Sequence, residues 1–203
     1  MPTLSVLLDY AGVAFLAASG AVAAAERRQD VVTFLFFGAL TGVGGGTLRD
    51  VLLGAPVFWV QDPSYVIVCA VAALAVWLSG GRGVTHAALP WLDAVGLAAY
   101  AVVGSGKALA LGAGPPVAVV MGVLTACFGG VLRDVIAEQP SVLMRREIYV
   151  TAALAAAIVN VTLLGLDAPR IAAVVSGVLV GIGLRAGALI WGWRLPAFAS
   201  ALR

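Results

Sequence analysis

Two short stretches decide the fold of this chain: it reads GGGTLRD at residues 44–50 and GGVLRD at residues 129–134. Shifting the sequence by 84 positions against itself places Arg49-Asp50 on Arg133-Asp134. Ten of the nineteen residues from 38 to 56 are then identical, without a gap. Composition alone does not reproduce an Arg-Asp pair and a proline at one fixed offset, so the chain contains an internal duplication.

Both stretches lie in strongly apolar surroundings. Of the 203 residues, 62% are hydrophobic and 11% are charged, whereas soluble domains carry about 25% charged residues. Several apolar runs approach about 20 residues, the length that crosses roughly 30 Å of hydrocarbon. The sequence therefore predicts an integral membrane protein, and its scattered basic residues give no reason to expect a nucleic-acid partner.

Polar and helix-breaking residues divide the chain into seven predicted transmembrane helices within a single domain, 1–203. Their ranges are 5–25, 31–53, 64–79, 89–111, 115–137, 148–166 and 170–191. The first six form repeat 1 (5–79) and repeat 2 (89–166), and the seventh helix (170–191) lies outside the repeat. Because each copy has three helices, the second copy enters the membrane in the opposite direction, as in inverted-topology repeats.

The basic residues predict an orientation, since cytoplasmic loops carry an excess of arginine and lysine. One predicted face holds seven arginines, whereas the other holds only Arg170. The seven are Arg27, Arg28, Arg82, Arg145, Arg146, Arg194 and Arg203. We therefore expect a multi-pass protein of the cell (inner) membrane with its N-terminus outside and its C-terminus in the cytoplasm.

The glycines of the second and fifth predicted helices are candidate helix breaks. Gly44, Gly45 and Gly46 stand in a row, and Gly129 and Gly130 are the counterparts of the last two; each glycine costs about 1 kcal/mol relative to alanine in a helix. Unwound backbone at membrane depth is tolerated where it lines a cavity, and matched breaks in two inverted halves point to a solute site or pore. Close helix packing on small residues is the alternative.

The Arg-Asp pairs that follow the glycines need partners, because a charge near the bilayer centre costs about 3 kcal/mol. Neighbouring helix positions do not face each other, so Arg49 and Asp50 are expected to bind other elements rather than each other, and likewise Arg133 and Asp134. We place both aspartates on the ion path. The arginines brace the helices or hold a lipid headgroup, with snorkelling as the alternative.

Three further polar features complete the candidate set. Thr41 and Thr125 lie one turn before the glycines, where they offer hydroxyls to an ion or bond their own helix backbone. Lys107, the only lysine, has no counterpart in the repeat and is a gating candidate, with snorkelling as the alternative. Asp9 and Asp93 are expected at helix starts, with a vestibule as the alternative.

The sequence contains no nucleophile–base pair and no metal-ligand cluster. The two cysteines lie inside apolar runs, as small buried hydrophobic residues do. We therefore expect no enzyme activity, no metal and no cofactor.

The stretch at 44–50, followed by PVFW at 56–59, and its copy at 129–134 resemble the prokaryotic branch of the trimeric intracellular cation (TRIC) channels over nearly the whole chain. The resemblance implies a homotrimer with one pore per subunit for monovalent cations, chiefly potassium, lined by the glycine-broken second and fifth helices. It also places Lys107 in the helix that carries a voltage-linked lysine in animal members. Animal members have Lys-Glu-Val in place of these glycines and Arg-Asp, so their phosphoinositide site does not simply carry over.

We therefore expect a potassium-permeable homotrimeric channel embedded in membrane lipid. A secondary transporter of a small solute such as glycine or another amino acid is the alternative, because transporters also use inverted repeats with broken helices. A helix amide end beside Arg49 would suit a carboxylate. A structural or lipid-organising protein without flux is the third class.

Overall fold

A computed structural model describes residues 4–80, 88–144 and 147–196. These ranges contain eight α-helices, and one forms at each of the seven predicted spans. The helices are α1 (Leu4–Glu26), α2 (Val31–Leu52), the short α3 (Phe58–Gln61), α4 (Ser64–Leu78), α5 (Ala88–Ala110), α6 (Pro115–Ile136), α7 (Val150–Gly165) and α8 (Arg170–Trp191). Four arginines behind the predicted orientation, at 82, 145, 146 and 203, lie outside the described residues.

Helix length separates five of these elements from the others. α1, α2, α5, α6 and α8 are long and apolar enough to cross a membrane, whereas α4 and α7 are apolar but have 15 and 16 residues.

Local sequence sets the ends of several helices. The Asp30 carboxylate caps α2 by accepting from the Thr33 amide at 2.8 Å, which holds the pKa of Asp30 below its usual range. Gly192 ends α8 at φ +67°, a left-handed conformation that favours glycine.

The helices pack in two groups of three. α1, α2 and α4 contact one another, and so do α5, α6 and α7. The groups meet where α1 lies on α5 and α2 lies on α6, and α8 packs against α5 and α7. A Cβ on Gly38 would touch Ala73, and one on Gly122 would touch Ala157. Because these two contacts are related by the 84-residue offset, the duplicated sequence builds the same packing in both groups.

The expected helix breaks at Gly45 and Gly129 were wrong, because α2 and α6 are unbroken over their whole length. The glycines instead allow two helix backbones to touch. A Cβ on Gly45 would stand 2.9 Å from the Thr125 carbonyl carbon and closer still to its oxygen, and Gly129 faces Thr41 in the same way. Close packing on small residues therefore accounts for these glycines.

Candidate functional site

The crossing of α2 and α6 is the centre of the candidate site. Thr41 and Thr125 lie there, both fully buried. The Thr125 hydroxyl donates to the Met121 carbonyl of its own helix at 2.6 Å, which is the backbone-bonding alternative. The Thr41 hydroxyl has no hydrogen-bond partner in the part of the chain that the structure describes, so the two symmetry mates are bonded differently.

The remaining glycines of the two stretches have side chains as their nearest neighbours. A Cβ on Gly44 would lie 3.2 Å from Leu132 Cδ1, and one on Gly46 would lie 2.5 Å from the Phe58 ring. A Cβ on Gly130 would lie 2.8 Å from a tyrosine hydroxyl. Gly46 therefore leaves room for an aromatic ring, and Gly130 leaves room for polar groups.

One polar cluster lies at the C-terminal end of α2. The fully buried Asp50 carboxylate accepts from Arg49 Nε at 2.7 Å and from the Phe58 amide at 3.0 Å. The Lys107 ammonium lies 2.8 Å from the same carboxylate. The expectation that Arg49 and Asp50 do not pair was wrong, because the long arginine side chain reaches across the angle between neighbouring positions. Arg49 is 1% exposed, so it does not snorkel.

The equivalent cluster lies at the C-terminal end of α6, and its arginine and aspartate also pair with each other. Arg133 Nε donates to Asp134 at 2.9 Å, and Asp134 accepts from the Val142 amide at 2.8 Å. Arg133 Nη1 donates to Asp93 at 2.7 Å and to Ser19 at 3.0 Å, and Nη2 lies 2.8 Å from Asp134. All three guanidinium nitrogens are thus paired, which compensates a charge that is only 2% exposed.

Asp9 and Asp93 are not helix-start residues, since each is the sixth residue of its helix. Their partners differ. Asp93 binds Arg133, whereas Asp9 accepts from the Tyr65 hydroxyl at 3.0 Å. Among the described residues, the other Asp9 oxygen and both Nη atoms of Arg49 have no hydrogen-bond partner. Asp9 and Asp93 match at the 84-residue offset. That match could have indicated buried polar partners for both aspartates, in place of a helix start.

Two cavities lie near opposite ends of α1, α5 and α8. The first cavity, of about 210 Å³, includes Asp9 and Lys107 in its lining, and the second, of about 190 Å³, includes Asp93, Arg133 and Asp134. Four pairs of lining residues correspond at the 84-residue offset: Val6 with Pro90, Asp9 with Asp93, Lys107 with Ala23, and Ala110 with Glu26. The two aspartates therefore fit the vestibule alternative.

α8 carries a buried charge that sequence reasoning missed. Arg185 is 1% exposed and donates to the Ile148 carbonyl at 3.1 Å. Its guanidinium lies 5.1 Å from the centre of the Tyr149 ring and 3.5 Å from the Glu147 carboxylate. Arg185 lines the second cavity together with Arg133. Arg185 could have been identified from the sequence, because a single arginine inside an apolar helix is unusual.

Asn160 on α7 was missed as well. It is 1% exposed and lines the first cavity. Its amide donates to the Ser105 hydroxyl at 3.0 Å and to the Val102 carbonyl at 3.3 Å, which joins α7 to α5. Its counterpart at the 84-residue offset is Val76, so the repeat gave no signal for it.

Buried ion pairs and paired cavities within apolar helices are typical of membrane proteins that handle a polar or charged solute. The sequence model of a family described as a glycine transporter matches this chain twice, at residues 6–80 and 90–164. The UPF0126 inner membrane protein YadS of Escherichia coli K12 is 40% identical over 196 residues, which are 95% of each chain.

Solved structures of TRIC channels share this fold. The TRIC trimeric intracellular cation channel orthologue from Rhodobacter sphaeroides is 44% identical with a TM-score of 0.91, covering 95% of this chain and 100% of that one. A second TRIC cation channel is 30% identical with a TM-score of 0.84, covering 95% of this chain and 96% of the other. The chain therefore belongs to the family matched by the sequence model and, with these structures, to the prokaryotic branch of the TRIC cation channels. The resemblance stated from the sequence is confirmed.

Proposed function

We propose that this chain is a potassium-permeable channel that works as a homotrimer, with one ion path inside each subunit. In this reading seven helices cross the membrane: α1, α2 and α4 form one unit, α5, α6 and α7 form its inverted copy, and α8 is the seventh. The Rhodobacter relative is a trimeric cation channel, and the Escherichia coli relative is an inner membrane protein. We place this chain in the inner membrane, with its N-terminus outside.

The observation that carries the proposal is the pair of cavities, which correspond at the repeat offset and lie near opposite ends of the same helices. We route the path between them past the α2–α6 crossing, where Thr41, Gly45, Thr125 and Gly129 lie. Carbonyl and hydroxyl oxygens there would replace part of a cation's hydration shell. The two backbones touch at this crossing, so we assign the structure to a closed state and expect α2 and α6 to separate for conduction.

The charged residues have distinct roles in this proposal. Asp50 and Asp134 compensate Arg49 and Arg133, which brace the ends of α2 and α6. Lys107 lines the first cavity with a side chain that is 32% exposed, and it shares Asp50 with Arg49. Because Lys107 touches both the cavity and the buried pair, it is the residue most directly placed to respond to voltage.

Recording from purified protein in a planar bilayer tests the channel proposal. We expect discrete current steps whose reversal potential follows a potassium gradient, and the same recording in a sodium gradient measures the selectivity between the two ions. A membrane that carries no current at any voltage, although trimeric protein has been inserted, would refute the proposal.

A glycine transporter is the second candidate function. The matching family model is described by that name, and two buried nitrogens of Arg49 have no partner in the described residues, where a guanidinium could bind a carboxylate. Uptake of radiolabelled glycine into proteoliposomes, without current steps in bilayers, would support the transporter. Current steps support the channel, because one open pore passes far more ions than a transport cycle.

A further inference from the structure

The two repeats hold the same three polar residue types in two different bonding arrangements. Each set has an aspartate, an arginine and a tyrosine at matching positions: Asp9, Arg49 and Tyr65 in the first set, and Asp93, Arg133 and Tyr149 in the second. In the first set the aspartate binds the tyrosine hydroxyl at 3.0 Å. In the second set it binds the arginine at 2.7 Å.

The group left over is also different in each set. Both Nη atoms of Arg49 have no hydrogen-bond partner in the first set, and the Tyr149 hydroxyl has none in the second, counting residues 4–80, 88–144 and 147–196. All of these atoms are buried, and an unbonded buried polar group is costly. Each set therefore contains a spare partner for its aspartate.

We propose that this aspartate is a gating switch at each end of the ion path, paired with arginine when that end is latched and with tyrosine when it is released. In this structure the second-cavity end is latched by Asp93 and Arg133, and the first-cavity end is released by Asp9 and Tyr65. The inference rests on the proposed channel function, since the latch controls access to that path. It assigns gating roles to Asp93 and Tyr149.

The geometry around Gly130 allows this exchange of partners. A Cβ on Gly130 would lie 2.8 Å from the Tyr149 hydroxyl, 3.3 Å from Asp93 Oδ1 and 3.5 Å from Arg133 Nη2. All three groups therefore border the same small space, which glycine leaves open. A modest movement of the aspartate would bring it from the guanidinium to the hydroxyl, and the first set already shows the resulting pair.

Residues that break the internal symmetry explain why the two sets differ. The Ser19 hydroxyl binds Arg133 at 3.0 Å and holds it beside Asp93, whereas its counterpart Val103 has no hydroxyl. Lys107 binds the aspartate next to Arg49 at 2.8 Å, whereas its counterpart Ala23 carries no charge. The second set is thus biased towards the latched arrangement.

Single-channel recording of two variants tests the switch. Asp93→Asn removes the charge that holds Arg133, so we expect open probability to rise about tenfold, as when a charged hydrogen bond is lost from the closed state. Tyr149→Phe removes only the partner used in the released arrangement. We expect open times to shorten about fivefold, the factor set by one ordinary hydrogen bond, because the latched arrangement keeps its bond between Asp93 and Arg133.

Tyr10→Phe is the control for loss of a tyrosine hydroxyl, because Tyr10 belongs to neither set and its hydroxyl binds Asp62 and Ser64. The phenylalanine keeps the ring that stacks on Tyr65. Its open times should equal those of the parent. Unchanged open times in Tyr149→Phe, or an unchanged or lower open probability in folded Asp93→Asn, would overturn the switch. If Asp93→Asn does not fold, Tyr149→Phe decides the question alone.

A readout without current separates this inference from the channel proposal. Ala23 lines the second cavity and is 4% exposed, so Ala23→Cys, in a background with Cys69→Ala and Cys127→Ala, reports access from that end. A neutral methanethiosulfonate reagent, whose rate is insensitive to the charge that Asp93→Asn removes, should label this cysteine about tenfold faster with Asp93→Asn and more slowly with Tyr149→Phe. If the labelling rates change in this way but the protein carries no current, the switch is supported and the channel proposal is rejected. If the protein conducts but both variants are labelled at the same rate as the parent, the switch is rejected.

Discussion

Gly45→Ala tests whether the glycines serve close packing. The new methyl would stand 2.9 Å from the Thr125 carbonyl carbon and nearer to its oxygen, and backbone cannot rotate away as a side chain can. Overpacking costs about 1–3 kcal/mol, and a rigid obstacle favours the upper value, whereas alanine gains about 1 kcal/mol of helix propensity. We expect the free energy of unfolding to fall by about 2 kcal/mol, which lowers the melting temperature of a chain of this size by about 4–8 °C.

Thermal unfolding followed by tryptophan fluorescence in detergent measures this loss, with two matched controls. In Gly44→Ala the nearest atom is the flexible Leu132 Cδ1 at 3.2 Å, and in Gly183→Ala no heavy atom lies within 4 Å among those described. Both should melt at or above the parent temperature. Gly129→Ala faces backbone as Gly45→Ala does and should behave like it. If Gly45→Ala melts with Gly44→Ala, backbone contact at the crossing is not what requires glycine.

Three further substitutions test the polar groups. Lys107→Ala should fold and form trimers, because Asp50 keeps Arg49 as a partner, while open probability changes its dependence on voltage; identical voltage curves would mean that Lys107 only helps Arg49 to neutralise Asp50. Asp50→Asn leaves buried Arg49 without its carboxylate, which costs about 3–5 kcal/mol, so the yield of trimer by size-exclusion chromatography should collapse. Asn160→Leu loses the bond to Ser105 and should lower stability by about 1 kcal/mol, seen as a lower melting temperature.

Much of the helical fold could be predicted from the sequence because the bilayer constrains it strongly. Apolar length predicts where helices form, and a helix is present at each predicted span. Apolar length did not predict that α2 stays helical through the glycines at 44–46. Propensity makes Gly45 unfavourable in a helix, but contact with the Thr125 backbone outweighs that local cost, and Thr125 is 80 residues away along the chain.

The candidate site was harder to predict, because side-chain pairing depends on geometry that periodicity does not contain. Neighbouring helix positions face apart, and this rule wrongly predicted that Arg49 and Asp50 do not pair. The rule describes the directions of the Cβ atoms, whereas the long arginine side chain can reach back to the next residue. Asp9 and Asp93 were visible as matched charges, but their partners lie on other helices. Arg185 was overlooked because it stands outside the repeat, although its burial in an apolar helix is itself unusual.

The departures from internal symmetry say more about function than the symmetry does. Under the proposed switch, a duplicated framework with identical contacts would give both ends of the molecule the same latching equilibrium when no membrane potential is applied. Ser19 and Lys107 have no polar counterparts at the repeat offset, and each binds one member of an otherwise matched cluster. Arg185 is supplied by α8, which belongs to neither copy. These three side chains therefore give two equivalent halves different bonding, so the proposed switch can favour a different arrangement at each end.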